Sequence, residues 1–377
     1  MEGKITLDRV IAFLRVYLTF ACCWPLPPNA TKLQRLVRSA FQCFCLTNSI
    51  VFAIAAIWTL CKHSDDVLLV IKLGCQLSAI VQIPLQMILF AMQNKRLQFI
   101  VLEMESYYQQ AQEYEKKIFQ LYIDKCKPFY GSILCWLAMT GISVIITPLF
   151  SSQSFPSETE YPINMHSQPL KIIIYAHHVL IAYQSVIQVS TNTFPALLLW
   201  FVAARFDILS IRFRTMKNMK ELTKYTHEHR LLLGYAKEVT RAIRYVALLC
   251  VTFSTGAVIF GYLTFMSRDI PWTVKSTFLM IAFCGFVELY MYAWPADNVM
   301  STSSGIASAV YESLWYNDDL TRTRKILIHI ILRSQRPVTV SIPCALPNLS
   351  MNYYASYIST VFSYMAFVRA HIVMGQE

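Results

Sequence analysis

The sequence predicts an all-α membrane protein with seven transmembrane helices, an intracellular N-terminus and an extracellular C-terminus, its helices extended into a cytosolic anchor bundle. Three observations lead there. Apolar residues make up 55% of the 377-residue chain and charged residues only 15%. Apolar runs long enough to cross a bilayer recur along its length. The basic residues are confined to alternate loops.

The runs fall at about 36–61, 67–92, 129–150, 171–203, 246–266, 275–303 and 349–373. Of the 33 Lys and Arg residues, 27 lie before the first run or at its edge (Arg38), or after the second, fourth and sixth. The opposite loops hold only Lys62, Lys171, Arg268 and Lys275, and Lys72 and Arg369 fall inside runs. Basic loops stay in the cytosol, which sets both termini. Charge sorted in this way is not a nucleic-acid footprint, and lipid is the expected surrounding.

Upstream of the first span, Val10 to Cys23 is interrupted by Arg15 and ends in Trp24-Pro25-Leu26-Pro27-Pro28. It is too short to span upright and has no cleavage site of small residues, so it reads as an interfacial or re-entrant helix. The eleven cysteines show no paired spacing and read as small buried hydrophobes.

The cytosolic loops carry helical patterns. Ile100, Met104, Tyr107, Ala111, Tyr114, Ile118 and Leu121 alternate steps of four and three, which predicts one continuous heptad seam. Phe206, Leu209, Phe213 and Met216 make one helix face, and Leu232, Ala236, Val239, Ile243 and Val246 another. These faces can pair with one another and with a helix over Leu320–Leu332 in a bundle, or lie on the membrane surface. On the outer side, Ser151–Pro169 is rich in Ser and Pro, acidic at Glu158 and Glu160, and free of Lys and Arg between its ends. It predicts a cap with little regular structure.

No pattern supports an enzyme: there is no Gly-rich phosphate loop, no metal-spaced His/Cys set and no nucleophile elbow. No cofactor is expected. His177 and His178 are adjacent, so on a helix they diverge by about 100° and at most one should face a cavity. A cavity for a small apolar ligand needs apolar walls and few polar groups. By depth and helical face its candidates are Gln76, Ile80, Trp136, Met139, Ser143, Tyr175, His178, Ala182, Phe260, Phe283, Phe286 and Tyr290. Each also fits ordinary helix packing. Pro84, Pro148 and Pro195 should kink their helices. Glu288 and Asp297 are acidic groups at span depth, expected to be satisfied by hydroxyls or water rather than to hold an ion. The last run is rich in hydroxyls, including Ser350, Tyr357, Thr360 and Ser363, so it either packs closely among helices or lines a path.

The C-terminal stretch resembles insect odorant receptors. The matching residues, in order, are Tyr311, Trp315-Tyr316, Arg324-Lys325, the run Arg333-Ser334-Gln335-Arg336-Pro337, Leu349-Ser350 and Ser363-Tyr364; Tyr161-Pro162 upstream also fits. The related gustatory receptors carry Gln-Phe in the last helix, which is absent here. The resemblance implies a ligand-tuning subunit of a ligand-gated, non-selective cation channel. It implies assembly with the shared odorant co-receptor into a heterotetramer, through the cytosolic bundle. A small volatile odorant would open it from the outer half of the bundle, in the plasma membrane of olfactory sensory neurons. The chain then divides into four parts. Residues 1–35 are a cytosolic segment with the interfacial or re-entrant helix, and 36–303 hold spans one to six, the ligand cavity and the cytosolic extensions. Residues 304–340 hold the anchor helix, and 341–377 the pore-lining seventh helix with a short extracellular tail.

Aligned on Ser363-Tyr364, the pore would involve Tyr364, Phe367, Val368 and His371. Many relatives are aliphatic at Phe367 and His371, and a ring of four Arg369 or His371 side chains opposes cation flow. The chain is therefore expected to supply only some of the pore helices. The alternatives are a G-protein-coupled receptor, which needs an outside N-terminus and motifs absent here, and a gustatory-receptor-like channel. A secondary transporter needs internal repeats, which are not visible.

Overall fold

The computed structural model describes residues 5–150, 155–162, 168–267, 270–313 and 321–374, with side-chain surroundings given except at 321–323 and 368–374. Of the residues singled out above, Arg268, Trp315, Tyr316 and Leu320 lie outside this set, as do the side chains of Val368, Arg369 and His371. The described residues form eleven α-helices: α1 (Leu7–Phe20), α2 (Lys32–Lys62), α3 (Val67–Met92), α4 (Asn94–Gln110), α5 (Glu113–Phe150), α6 (Gln168–Ser190), α7 (Thr193–Arg214), α8 (Met219–Met266), α9 (Trp272–Tyr311), α10 (Thr321–Ser334) and α11 (Met351–Met374). Six stretches are long and apolar enough to cross a bilayer: α2, α3, α5, α6 with α7, α8 and α9. The 24 residues of α11 make a seventh rod of about 36 Å, against a hydrocarbon core of about 30 Å.

Local chemistry sets where the helices begin. Thr31 and Gln34 exchange side-chain bonds to each other's backbone N–H, a capping box that starts α2. Asp66 accepts from Leu69 N to start α3, and Asn218 accepts from Glu221 N to start α8. Asp297 accepts from Met351 N at 3.1 Å, so this carboxylate sits at the N-terminus of α11 and offsets its dipole.

Two expected continuities are broken. The seam from Ile100 to Leu121 is not one helix. The chain leaves α4 at Ala111, which is extended, and α5 begins at Glu113. Glu115 explains the break. Its buried carboxylate accepts from Gln112 N at 2.7 Å and from the Arg212 guanidinium, tying the start of α5 to α7. Ile100, Met104 and Ala111 are buried, whereas Tyr114 and Leu121 are exposed. The fourth apolar run is likewise two helices, parted at Thr191-Asn192. Pro195 has no N–H to give the Thr191 carbonyl, and Phe194 N donates to that carbonyl at 3.0 Å in a tighter turn. Pro195 itself sits in the first turn of α7, where a missing donor costs least.

The other seams pack as expected. Phe206, Leu209, Phe213 and Met216 on α7 are buried, as are Leu232, Ala236, Val239, Ile243 and Val246 on α8. They join one large core with α1, α4, α9, α10 and α11. Leu7, Ile11, Leu14 and Leu18 seat α1 on this core by spacings of four and three, while Phe13, Val16 and Phe20 face outward. Arg38 then donates to the carbonyls of Trp24 and Cys22 at 2.5 and 2.7 Å, fixing the turn after α1. Below, the α1 end and the α5–α6 end denote the two ends of the bundle.

Candidate ligand-binding site

Toward the α5–α6 end, helices α3, α5, α6, α8 and α9 part around a cavity of about 130 Å³. A cavity of about 150 Å³ accepts benzene, so the space suits a one-ring molecule. Small residues make it. Ala79, Gly141, Ala182, Ala257 and Gly285 all line the wall. At Gly141 a Cβ would meet Val186 Cγ2 at 2.6 Å, and at Gly285 it would meet Val258 Cγ2 at 2.7 Å and the Ser254 carbonyl at 3.0 Å. Glycine thus lets α5 approach α6, and α9 approach α8, at the margin of the hollow.

The floor is polar. Glu288 is buried and accepts from Gln82 Nε2, Asn192 Nδ2 and Ser254 Oγ, each at 2.6 Å. Asn192 Oδ1 in turn accepts from Tyr292 and Gln86, and Gln188 donates to Gln86. This network fills the α6–α7 break, so the backbone interruption and the buried carboxylate stabilise each other.

The described part of the α5–α6 loop, 155–162, forms the roof. Pro156 and Ser157 line the cavity, and Ser157 Oγ donates to Gln76 Oε1 at 2.5 Å. The segment is fastened along its length. Glu158 pairs with Lys72 at 2.9 Å, which accounts for a lysine inside the second apolar run. Glu160 pairs with Lys62 at 2.6 Å and His63 at 3.1 Å, and its N–H bonds Thr59 Oγ1. The hydrogen bond from Lys62, with that from His63, holds the Glu160 carboxyl below its ordinary value. Tyr161 Oη lies 2.8 Å from His177 Nδ1 and 3.2 Å from His178 Nε2.

Of the candidates read from sequence, Gln76, Ile80, His178 and Ala182 line this cavity. The others lie elsewhere. Ser143 bonds Thr277 at 2.9 Å, and Tyr175 donates to the Ile145 carbonyl at 3.1 Å. Trp136 packs on Phe283, whose far side is exposed, and Met139 is exposed. Phe260 packs over Gly74 on α3. Phe286 and Tyr290 face α11: Tyr354 bonds the Phe286 carbonyl, and Tyr290 packs on Tyr354 with ring centres 5.3 Å apart. Phe52, Gln82, Thr140, Gly141, Ser254 and Gly285 line the cavity without having been read as candidates. The available signal was a small or polar residue at span depth, as at Gln82, Ser254 and Gly285. Of the histidine pair, only His178 lines the cavity, yet both rings reach Tyr161. Tyr364 and Phe367 are exposed on α11. Larger hollows of about 460 and 780 Å³ lie beside α1. Among the described residues no group of three or more His, Cys, Asp or Glu is arranged to hold a metal ion.

A helical bundle of this length, with a roofed internal cavity, defines a multi-pass membrane protein with a small-molecule site. The family model described as 7tm Odorant receptor matches residues 67–362, and the chain belongs to that family. Among curated proteins it is similar to Odorant receptor 22c of Drosophila melanogaster, 25% identical over 40% of this chain and 37% of that one. It is also similar to Odorant receptor Or2 of Anopheles gambiae, 24% identical over 40% of this chain and 38% of that one. The matches thus span less than half the length of these relatives. Among solved structures, the olfactory receptor OR5 from Machilis hrabei in complex with eugenol superposes with a TM-score of 0.85. It is 14% identical, and the match covers 97% of this chain and 98% of that one. A second structure of that receptor gives 0.83. These likenesses establish the fold.

Proposed function

We propose that the chain is the odorant-binding subunit of a heterotetrameric, ligand-gated, non-selective cation channel. It opens when a small volatile molecule occupies the cavity described above. The observation that carries the reading is that roofed, apolar, one-ring-sized cavity, in a fold shared with a receptor solved with eugenol. The charge asymmetry supports a cytosolic α1 end and an external α5–α6 end, in the plasma membrane of an olfactory sensory neuron.

The route from cavity to pore runs through α8 and α9. Thr255 donates to Tyr357 Oη at 3.1 Å, and Phe286 packs on Tyr357 and Phe362. Gln76, Ile80, His178 and Ala182 bind the ligand, and α11 supplies the pore through Tyr364, Phe367, Val368 and His371. Ligand shifts gating only by binding the open state more tightly than the closed one. Because His371 and Arg369 suit a cation pore poorly, the partner is a different subunit, the odorant co-receptor. Whole-cell current is the test, with the chain expressed alone and with the co-receptor against a broad volatile panel. Fast non-selective current only on co-expression is expected. Robust current from the chain alone removes the partner, and a slow signal blocked with G proteins overturns the channel.

A further inference from the structure

The apolar wall leaves one recognition group unmatched. His178 is 3% exposed, lines the cavity, and has an Nδ1 with no hydrogen-bond partner among the described residues. Its protonation follows from a chain of partners. His177 Nε2 lies 3.2 Å from the Asn48 carbonyl, which only accepts, so that nitrogen carries the proton. In the neutral ring His177 Nδ1 then accepts, and it takes the Tyr161 hydroxyl proton at 2.8 Å. The Tyr161 oxygen is left to accept from His178 Nε2–H at 3.2 Å. His178 Nδ1 therefore carries a bare lone pair. Phe52 and Phe155 pack edge-on against the ring and offer it no donor.

A buried acceptor without a donor is costly, and this atom exposes less than 1 Å² to a water-sized sphere from any side, so a ligand reaches it with a small turn of the ring toward the cavity. Its donor has to come from inside the bundle. Resting on the odorant-binding reading, we infer that the cavity is built for a one-ring volatile bearing a single hydrogen-bond donor, a phenol or an N–H heteroaromatic, that donates to His178 Nδ1. Two other acceptors of the wall are already engaged. Gln76 Oε1 is taken by Ser157, and the Glu288 carboxylate already accepts three bonds. The roof segment thus has a second task. Through Tyr161 it sets which nitrogen of His178 is left to read the ligand.

The test uses matched pairs that differ only in the donor: 4-methylphenol against 4-methylanisole, and indole against 1-methylindole. Equilibrium binding to the full chain in detergent is measured by titration calorimetry. The donor member is expected to bind about tenfold more tightly, a difference of about 1.4 kcal/mol. In His178→Phe the two members should fall within about twofold, with the methylated member still bound, which shows that the variant is folded. In His178→Gln, which restores an acceptor, part of the preference should return. Equal affinities within both pairs for the wild type overturn the inference while leaving the receptor reading intact. A preference unchanged in His178→Phe overturns it as well, because the donor is then read elsewhere or through water. Failure of the folded protein to bind any volatile overturns the odorant-binding reading and this inference with it.

Discussion

α6 and α7 come from one apolar run of the sequence, yet the structure uses them in opposite ways. Most of α7 is buried, on every face, among α5, α8 and α9. Fewer than half of the residues of α6 are buried, some of them in the cavity wall, and the helix packs on α5, α3 and α2. The boundary is the Thr191-Asn192 break, held by Glu288. Burial within a bilayer gains little hydrophobic free energy, since lipid is as apolar as leucine. The α6 half can therefore keep a void at small cost. The α7 half is filled by side chains such as Phe206 and Phe213, both fully buried against protein, and empty space there costs stability.

The sharpest way to break this contrast is at the boundary. Glu288→Leu leaves Gln82, Asn192 and Ser254 without their acceptor. At about 1–3 kcal/mol per orphaned buried group, the loss should be several kcal/mol in thermal unfolding in detergent. Phe206→Ala in the packed half should cost about 3–5 kcal/mol. Ile181→Ala in the cavity wall should cost less, about 2 kcal/mol, because one side of the residue already borders empty space; it should also shift ligand preference toward larger molecules. If Ile181→Ala proved as costly as Phe206→Ala, the two halves would be packed alike and the contrast would fail.

The roof gives smaller effects. Lys72→Met removes a half-buried partner of Glu158, with a stability loss of about 1 kcal/mol or less. Ligand release should quicken severalfold, read as the off-rate of a bound probe. The smallest effect is on pH. Glu160 is held below the ordinary value of about 4.5 by Lys62 and His63. Its contribution is therefore fully present above that value and is lost as pH falls through the depressed one. Because the pair is largely exposed, the change should stay below about 1 kcal/mol. Glu160→Gln should remove that acid-side slope, and an unchanged slope would assign it to other carboxylates.

Much of the fold was legible in the residues. Val67–Met92 is a helix with the bounds its hydropathy suggests. The faces of α7 and α8 pack as their spacing indicates, because a residue between protein neighbours must be apolar on each turn. The two misread continuities share a cause. Periodicity counts apolar residues and is blind to a single side chain, Glu115 or Asn192, that satisfies backbone and carboxylate partners from other helices. Cavity residues were hardest to read. A helix facing lipid, a neighbour or a void presents the same apolar side chains, so Met139, Phe260 and Phe286 scored like Ile80.

The sequence by itself determined that the chain is a seven-span helical membrane protein, which of its loops are basic, and the signature of its family. Chain length, apolar content and charge placement act locally and need no partner. Only the tertiary structure decided that α6 parts from α7, that residues 155–162 roof the cavity, and that Tyr161 joins His177 and His178. Each of these depends on atoms far apart in the chain meeting at hydrogen-bond distance, and no local preference encodes such a meeting.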